Sequence, residues 1–592
     1  MTVGSRSAAG RGRVNSRVIR PGAPHQASVR PRVTTPSLRF SILGLLLLLS
    51  ANAIVYWPVL SFNFVRWDDD INITQNPLLT EPWSGSLVAR YFSGEHALRF
   101  KPLHWLVARG VYATAGLNPV AWHALNLALH LAAAGLFYLL LRHVMKDLIQ
   151  ATESKVHLTL EGVAWAGAAL WSLHPLRAEA VSWVTASTYP LSAVCLLASF
   201  YWYLQAHQVR PPRFALAGAW LAAVSAYASY PVTITYGGWL IIVDRWWLSR
   251  RPSTAPGALL HGRAFVLKHA CFLAPAALAV AITVWSRFAT PGIFTTAPSV
   301  ESVGVAERVI MALATLTLLV GRLLWPVQLT PNLPPLAGSV VTPTFLALAG
   351  LAVFALIAAW SRRQRWPGGM VAVWGFAALS LPCLGLTERP NWPVDRYSYV
   401  AHLGLIGAIA VGLGTCRGWS RWPGMLAGSL AVVTVASGLA SHRQCQIWRD
   451  SRTLFTHMAS HPGFGENARQ QGHIYLLWAN EEKSRSEPGR AAELLEAAQQ
   501  TYLKAIQRAV AQGDYAEALS LSTHLERHFG LTATLRRERA AWLLRTHRVP
   551  EALAELRRTE VELANDERWR SLRTEAEALQ AGRASAETPA PS

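Results

Sequence analysis

Acidic residues are scarce in this chain: 34 Asp and Glu stand against 55 Lys and Arg, and charged residues of both signs make up only 15% of the sequence. So little charge excludes a large soluble globular enzyme, whose folded surface needs far more ionisable cover. Cysteine is sparse too. Positions 195, 271, 383, 416 and 445 are scattered, most of them in apolar segments. That excludes a disulfide framework and a zinc-type ligand spacing, so they read as small apolar residues. Internal symmetry is missing as well, and with it the paired, inverted segments expected of a transporter. The first 39 residues hold eight Arg but no Lys and no acid.

What is present is apolar. Hydrophobic residues reach 52%, with 25 Trp and a mean hydropathy of +0.22, which describes an integral membrane protein with a soluble part. The net charge of +21 lies largely in loops beside hydrophobic segments, so it reports topology rather than nucleic-acid binding. Residues 1–39 read as a disordered, cytoplasmic basic arm. The apolar run 40–60 is too long for a signal-peptide core and has no clear cleavage site, so it is read as a retained helix with its N-terminus inside.

Further apolar segments lie near 121–143, 161–173, 188–206, 213–229, 232–247, 268–286, 305–326, 343–360, 368–386, 399–415 and 424–440. Basic clusters mark inside loops at Arg210/Arg213, Arg245 to Arg263 with Lys268, Arg362/Arg363/Arg365 and Arg417/Arg421. Alternating crossings that satisfy these clusters leave 305–326 without a net crossing, as a re-entrant or interfacial segment. The count is then about 11 transmembrane helices rather than 12, with the C-terminus outside.

The first external loop, 61–120, is Trp-rich and opens on Trp67-Asp68-Asp69-Asp70. Leu87–Phe92 and Leu103–Tyr112 suggest short interfacial helices. Three adjacent carboxylates beside a low-dielectric boundary repel one another, which favours a raised pKa and a base; the plainer alternative is a solvated acidic loop. The composition changes after Ser441, where Ala, Leu, Glu, Gln and Arg follow a helical period. Gly513–Leu519 recurs as His547–Leu553 with a shift of 34 residues, the tetratricopeptide period. Ala468, Gly472 and Tyr475 suggest an earlier helix of the same kind. The domains are therefore the arm 1–39, a transmembrane domain 40–441, helical repeats 442–580 and a disordered tail 581–592.

Several segments in order give the chain a family resemblance. They are Trp67-Asp68-Asp69 with Asn76-Pro77, Lys101-Pro102-Leu103-His104-Trp105-Leu106, and Gly116-Leu117-Asn118-Pro119 with His123, Asn126 and His130. Then come Leu173-His174-Pro175-Leu176-Arg177-Ala178-Glu179-Ala180-Val181, Leu324-Trp325-Pro326, Asp395-Arg396-Tyr397-Ser398-Tyr399 and His442-Arg443-Gln444 with Trp448-Arg449-Asp450-Ser451. From about Asn63 to Pro462 the chain resembles the bacterial relatives of the transmembrane O-mannosyltransferases with tetratricopeptide repeats. The resemblance implies an α-helical polytopic fold of the glycosyltransferase C-type with an all-α tetratricopeptide-like domain. It also implies transfer of a sugar from a polyprenyl-phosphate carrier at the extracytoplasmic face of a membrane, here a bacterial inner membrane. No cofactor is certain, and a divalent metal is left open.

The same resemblance makes Asp68 and Asp69 the candidate catalytic bases, without choosing between them, and leaves Asp70 as a solvated neighbour. A carboxylate can take the proton of an attacking hydroxyl, and a lipid-phosphate leaving group needs cationic or donor partners. The substrate-binding candidates are Lys101, His174, Arg177, Glu179 and Arg396. Each has a plainer reading. Lys101 is a snorkelling cation, His174, Arg177 and Glu179 cap a helix end, and Arg396 is an interfacial anchor with Tyr397 and Tyr399. His123, Asn126 and His130 share a helix face and read as interhelical hydrogen bonding rather than a metal site.

Charges usual in the family are absent from Thr185-Ala186-Ser187-Thr188-Tyr189-Pro190 and from Ser229-Tyr230-Pro231, and Arg177 stands where His is common. Two functions compete. One is a glycosyltransferase whose repeats present a protein acceptor. The other is an inactive membrane scaffold that recruits partners through those repeats. The Asp pair favours the first, and the missing charges favour the second.

Overall fold

The computed structural model describes residues 38–94, 96, 99–152, 157–251, 254, 261–289, 304–331, 341–363, 367–385, 394–415, 423–465 and 467–587. Residues 1–37 of the basic arm, with Arg365, Arg417 and Arg421, lie outside them. Among the described residues the regular elements are helical, and a lone bridge joins Gln208 to Thr254.

This is an α-helical membrane protein. Among the described residues six segments are long and apolar enough to cross a bilayer: Ser41–Ser61, Pro119–Met145, Val184–Ala206, Gly262–Ser286, Asp395–Leu413 and Gly424–Trp448. Each approaches or exceeds the roughly 20 residues that a hydrocarbon core requires. Ala215–Ser229, Pro343–Ala355 and Gly368–Cys383 are shorter apolar helices. The segment expected at 305–326 forms the helix Val305–Leu324, which is not one of the six. The stretch 232–247 is not one helix. It breaks into Pro231–Thr233, Tyr236–Ile242, a π turn Val243–Trp247 and a last turn Leu248–Arg250.

Lipid supplies no hydrophobic drive between helices, so small residues and polar contacts set the packing. Ala133, Ala134, Ala168 and Ala169 are fully buried. His130 joins three helices: its ring reaches the Tyr399 hydroxyl at 2.7 Å, Asn52 at 3.2 Å and the Ser172 carbonyl at 3.1 Å. Asn126 donates to the Trp183 carbonyl at 2.8 Å. Among the described residues no group of three His, Cys, Asp or Glu is placed to hold a metal ion.

Two helices fix the direction of the bundle. The end of Leu38–Tyr56 meets the end of Pro423–Cys445, where His442 Nδ1 lies 2.9 Å from the Val55 carbonyl oxygen. They run parallel. The soluble helices follow at that same end. Ala468–Ser484, Pro488–Ala511, Tyr515–Phe529, Ala533–Arg545 and Val549–Arg558 pack each against the next.

Both members of the repeated heptapeptide open on a residue in the left-handed region, Gly513 at φ 74° and His547 at φ 62°. Ala518 and Ala552, at matching positions, are both fully buried. Gly472 lets the Tyr502 ring close in, since a Cβ there would sit 2.5 Å from it. The helix Glu567–Glu587 continues past 580, so the expected disorder from Ala581 is corrected as far as Glu587, and 588–592 lie outside the described residues.

The soluble part is docked onto the membrane part. Trp448, Phe455, Ile474, Trp478 and Leu494 share one core with the bundle. Asn63 N donates to the Arg449 carbonyl at 3.0 Å, Arg66 N donates to Ser451 Oγ at 3.0 Å, and Arg66 pairs with Glu481 at 3.0 Å. The acidic loop is therefore clamped under the first long soluble helix.

Candidate functional site

The loop around the Asp triplet is organised by residues four apart. Asn72 donates to the Asp68 carbonyl through its backbone N at 2.9 Å and its Nδ2 at 3.0 Å. Asn76 Nδ2 donates to the Asn72 carbonyl at 2.9 Å, and Asn76 Oδ1 caps the short helix Pro77–Thr80 by accepting from Leu78 N. Asp68 itself has φ 70°. Asp is among the few side chains that tolerate this region, and such strain gathers at functional sites.

The two candidate bases differ in surroundings. Asp69 is buried and fully engaged. Its Oδ2 accepts from Val65 N at 2.9 Å, and its Oδ1 accepts from Thr185 N at 3.1 Å and Thr185 Oγ1 at 2.6 Å. Burial pushes its carboxyl up to about 7 against the pull of those donors. Asp68 is solvent-accessible, yet protein surrounds it closely enough that burial is the main influence raising its carboxyl, opposed first by Arg396 and also by Lys101 and His473. Asp68 is thus the accessible carboxylate of the two, and Asp69 the one tied into the fold.

Lys101 is buried. Its Nζ donates to Asn72 Oδ1 at 3.4 Å and lies 4.1 Å from the Trp105 ring. Burial, reinforced by Arg99 and opposed by Asp68, brings it down to about 7. The cation is thus tied through Asn72 to the backbone of the residue it faces.

Arg396 and Glu179 form a pair at 2.5 Å, and Arg396 N also donates to Glu179 Oε2 at 2.9 Å. The Arg396 guanidinium lies 5.1 Å from the Trp183 ring and 5.3 Å from that of Tyr397. Arg322 holds the neighbouring Asp395 at 2.5 Å. Arg177 and Glu179 do not face each other. Arg177 is wholly buried, donates to Ser398 Oγ at 2.6 Å and lies against Trp171 and Tyr399. His174 caps Leu176 N and contacts the Leu323 carbonyl oxygen at 3.0 Å. These two sit in the packing beneath the site. Lys101 and Arg396 both lie within electrostatic reach of Asp68.

Several residues at the site escaped sequence reasoning. His473 comes from the soluble helix Ala468–Ser484 and lies within electrostatic reach of Asp68. Thr185 anchors Asp69, and Ser187 Oγ lies 3.3 Å from His104 Nδ1. Both belong to the uncharged segment that departs from the family pattern, which would have drawn attention to them. Thr185→Val keeps the shape and removes one donor from a buried carboxylate, so it should cost about 1.5 kcal/mol or more. A thermal midpoint in detergent equal to that of the unmodified protein would show the tie to be dispensable.

A stretch of 111 residues, 18% of this chain, is 31% identical to Protein O-mannosyl-transferase Tmtc3 of Drosophila melanogaster and spans 12% of that protein's length. No family model matches the chain, and no solved structure matches it. The relationship is distant.

Proposed function

We propose that this protein is a membrane glycosyltransferase that moves a sugar, mannose or another hexose, from a polyprenyl-phosphate carrier to a protein hydroxyl at the extracytoplasmic face. The observation that carries the reading is Asp68: an accessible carboxylate at φ 70° whose basicity burial raises, within electrostatic reach of Arg396 and Lys101. In the reaction the acceptor oxygen attacks the anomeric carbon while Asp68 takes its proton. The bond from that carbon to the phosphate oxygen breaks, and the lipid phosphate leaves with the electron pair. Lys101 and Arg396 stabilise the charge that develops on it. Asp69, His174, Arg177 and Glu179 are positioning residues that hold the loop and Arg396.

The helical repeats, read as a tetratricopeptide-like array, supply the acceptor-binding surface. Parallel first and last membrane helices support an odd number of net crossings, in keeping with about 11 spans and with repeats on the side of Asp68. With a cytoplasmic N-terminus, that side is extracytoplasmic. A reporter fused after Ala581 should read extracytoplasmic, and a cytoplasmic signal would reverse the orientation. The function itself is tested with the purified full-length protein, a panel of radiolabelled polyprenyl-phosphate sugars and Ser/Thr-containing acceptor peptides. Turnover with one donor is the expected result. Neither donor binding nor turnover across the panel would leave the scaffold reading in its place.

A further inference from the structure

A cavity opens inside the bundle, far from the acidic loop. It takes up about 800 Å³, mouth included, which is within the range of small-molecule sites. Phe137, Phe200, Trp239, Trp247, Leu403 and Gly407 are among its walls, and every lining residue is Phe, Leu, Val, Trp, Gly or Ala. The spans Pro119–Met145 and Asp395–Leu413 fix its depth. Arg396, within reach of Asp68, opens the second of them, whereas the cavity is lined by Val144 and Val411, near the other end of each.

The lining decides what can fill it. Trp239 Nε1 already donates to the Val371 carbonyl at 2.8 Å. A bound water needs about two to four polar partners, which such a wall does not supply. Protein interiors are close-packed and leave few voids larger than a water molecule. Within a bilayer the abundant apolar filler is a lipid tail.

The rim adds a charge. Asp244, in the π turn Val243–Trp247, accepts from Tyr203 Oη at 2.7 Å and from Lys268 Nζ, and lies 3.0 Å from His269 Nε2. With that turn held, Trp247 lines the cavity and the Arg251 guanidinium lies 5.0 Å from its ring. Residues 245–270 contain Arg245, Arg250, Arg251, Arg263 and Lys268 and no acid. An apolar slot with a guanidinium at its rim is complementary to an amphiphile with an anionic head, and basic pockets between membrane helices bind such heads.

We propose that this cavity binds one anionic phospholipid of the leaflet on that side. Its acyl chain lies along Phe200, Trp239 and Gly407, and its phosphate sits beside Arg251. On the orientation proposed above, that leaflet is the cytoplasmic one. The assignment does not rest on the transferase reading, because the lipid is a fixed part of the fold at the end of the bundle away from Asp68 and is not a sugar donor.

The test is native mass spectrometry and thermal unfolding of the full-length protein in detergent. Dioleoyl phosphatidylglycerol is the probe, with dioleoyl phosphatidylcholine and undecaprenyl phosphate as comparators. The unmodified protein should retain one phosphatidylglycerol, prefer it to both comparators, and unfold at a higher temperature when it is added, as a ligand of the folded state requires. A Cβ at Gly407 would have its nearest neighbours, Leu141 and Phe137, at 4.0 Å, so Gly407→Phe has room at its base to drive a ring into the cavity. Ala372→Leu fills the space from the helix Pro367–Ser380 and serves if the first variant does not fold. Both should lose the retained lipid and the thermal shift. Arg251→Gln should weaken phosphatidylglycerol about fivefold, as loss of one basic residue at an anionic lipid surface does, and Arg251→Lys should restore it. Asp68→Asn should retain the lipid unchanged.

Retention undiminished in folded Gly407→Phe or Ala372→Leu would place the lipid elsewhere and overturn the site. Equal affinity for phosphatidylcholine overturns the role of Arg251, and preference for undecaprenyl phosphate makes the cavity a polyprenyl site instead. An unmodified protein that neither retains nor is stabilised by phosphatidylglycerol overturns the assignment while leaving the transferase reading intact.

Discussion

Asp68→Asn is expected to leave the protein folded while lowering sugar transfer roughly 10²–10⁴-fold, the contribution of a positioned general base. Asn is the informative replacement. Like Asp it tolerates φ 70°, so the substitution removes the charge without adding backbone strain. Ala at the same place would confuse lost chemistry with a lost loop. The pH dependence has a definite sign. Asp68 works when deprotonated, and burial raises its pKa, so kcat/KM should fall as pH drops through that raised value. Lys101 is a cation only below about 7, so a second limb should fall as pH rises through it. In Asp68→Asn the acid limb should vanish. Asp69→Asn should behave otherwise, lowering the thermal midpoint because its amide cannot accept from Thr185 and Val65 as a carboxylate does. Full activity in Asp68→Asn would end its role as base.

The second large effect is on stability. Glu179→Ala removes the carboxylate that receives both the Arg396 side chain and the Arg396 backbone N–H. Glu179 is nearly sealed, with 3% of its side chain exposed, and Arg396 keeps only 18%. Removing one partner of such a pair leaves a stranded charge and should cost about 3–5 kcal/mol. Activity should fall with it, because Arg396 would lose the partner that holds it beside Trp183. Glu179→Gln retains an acceptor for the backbone N–H and should lose less. Thermal unfolding in detergent separates the two. If Ala and Gln gave the same midpoint as the unmodified protein, the pair would not be holding this corner of the fold.

Local patterns carried much of the fold. Apolar length marked the spans, the helices Gly85–Ser93 and Pro102–Ala115 lie where short helices were suggested, and the 34-residue shift placed two left-handed turns. The broken stretch after Tyr230 was not legible, because hydrophobicity gives no sign of a π turn or of where a helix stops being regular. At the site, the Asp pair was visible but its division of labour was not. The contact that ties down Asp69 reaches Thr185 across 116 positions, and no local rule reports such a distance. Nor did the sequence show that Tyr189 and Tyr230 are neighbours, although both had stood out as departures.

The seam between the acidic loop and the first soluble helix has a further consequence. Arg66 is bonded to Ser451 and Glu481 on the far side of that seam, and the cores run together through Trp448 and Trp478. A module hung on a flexible tether would feed a bound peptide to Asp68 at an effective concentration set by the tether's length. Here there is no slack to set it. On the proposed function, a polypeptide gripped by the array would meet Asp68 at a fixed offset along its own backbone, so which hydroxyl is modified would be a matter of register, counted from the gripped residues, rather than of chance encounter.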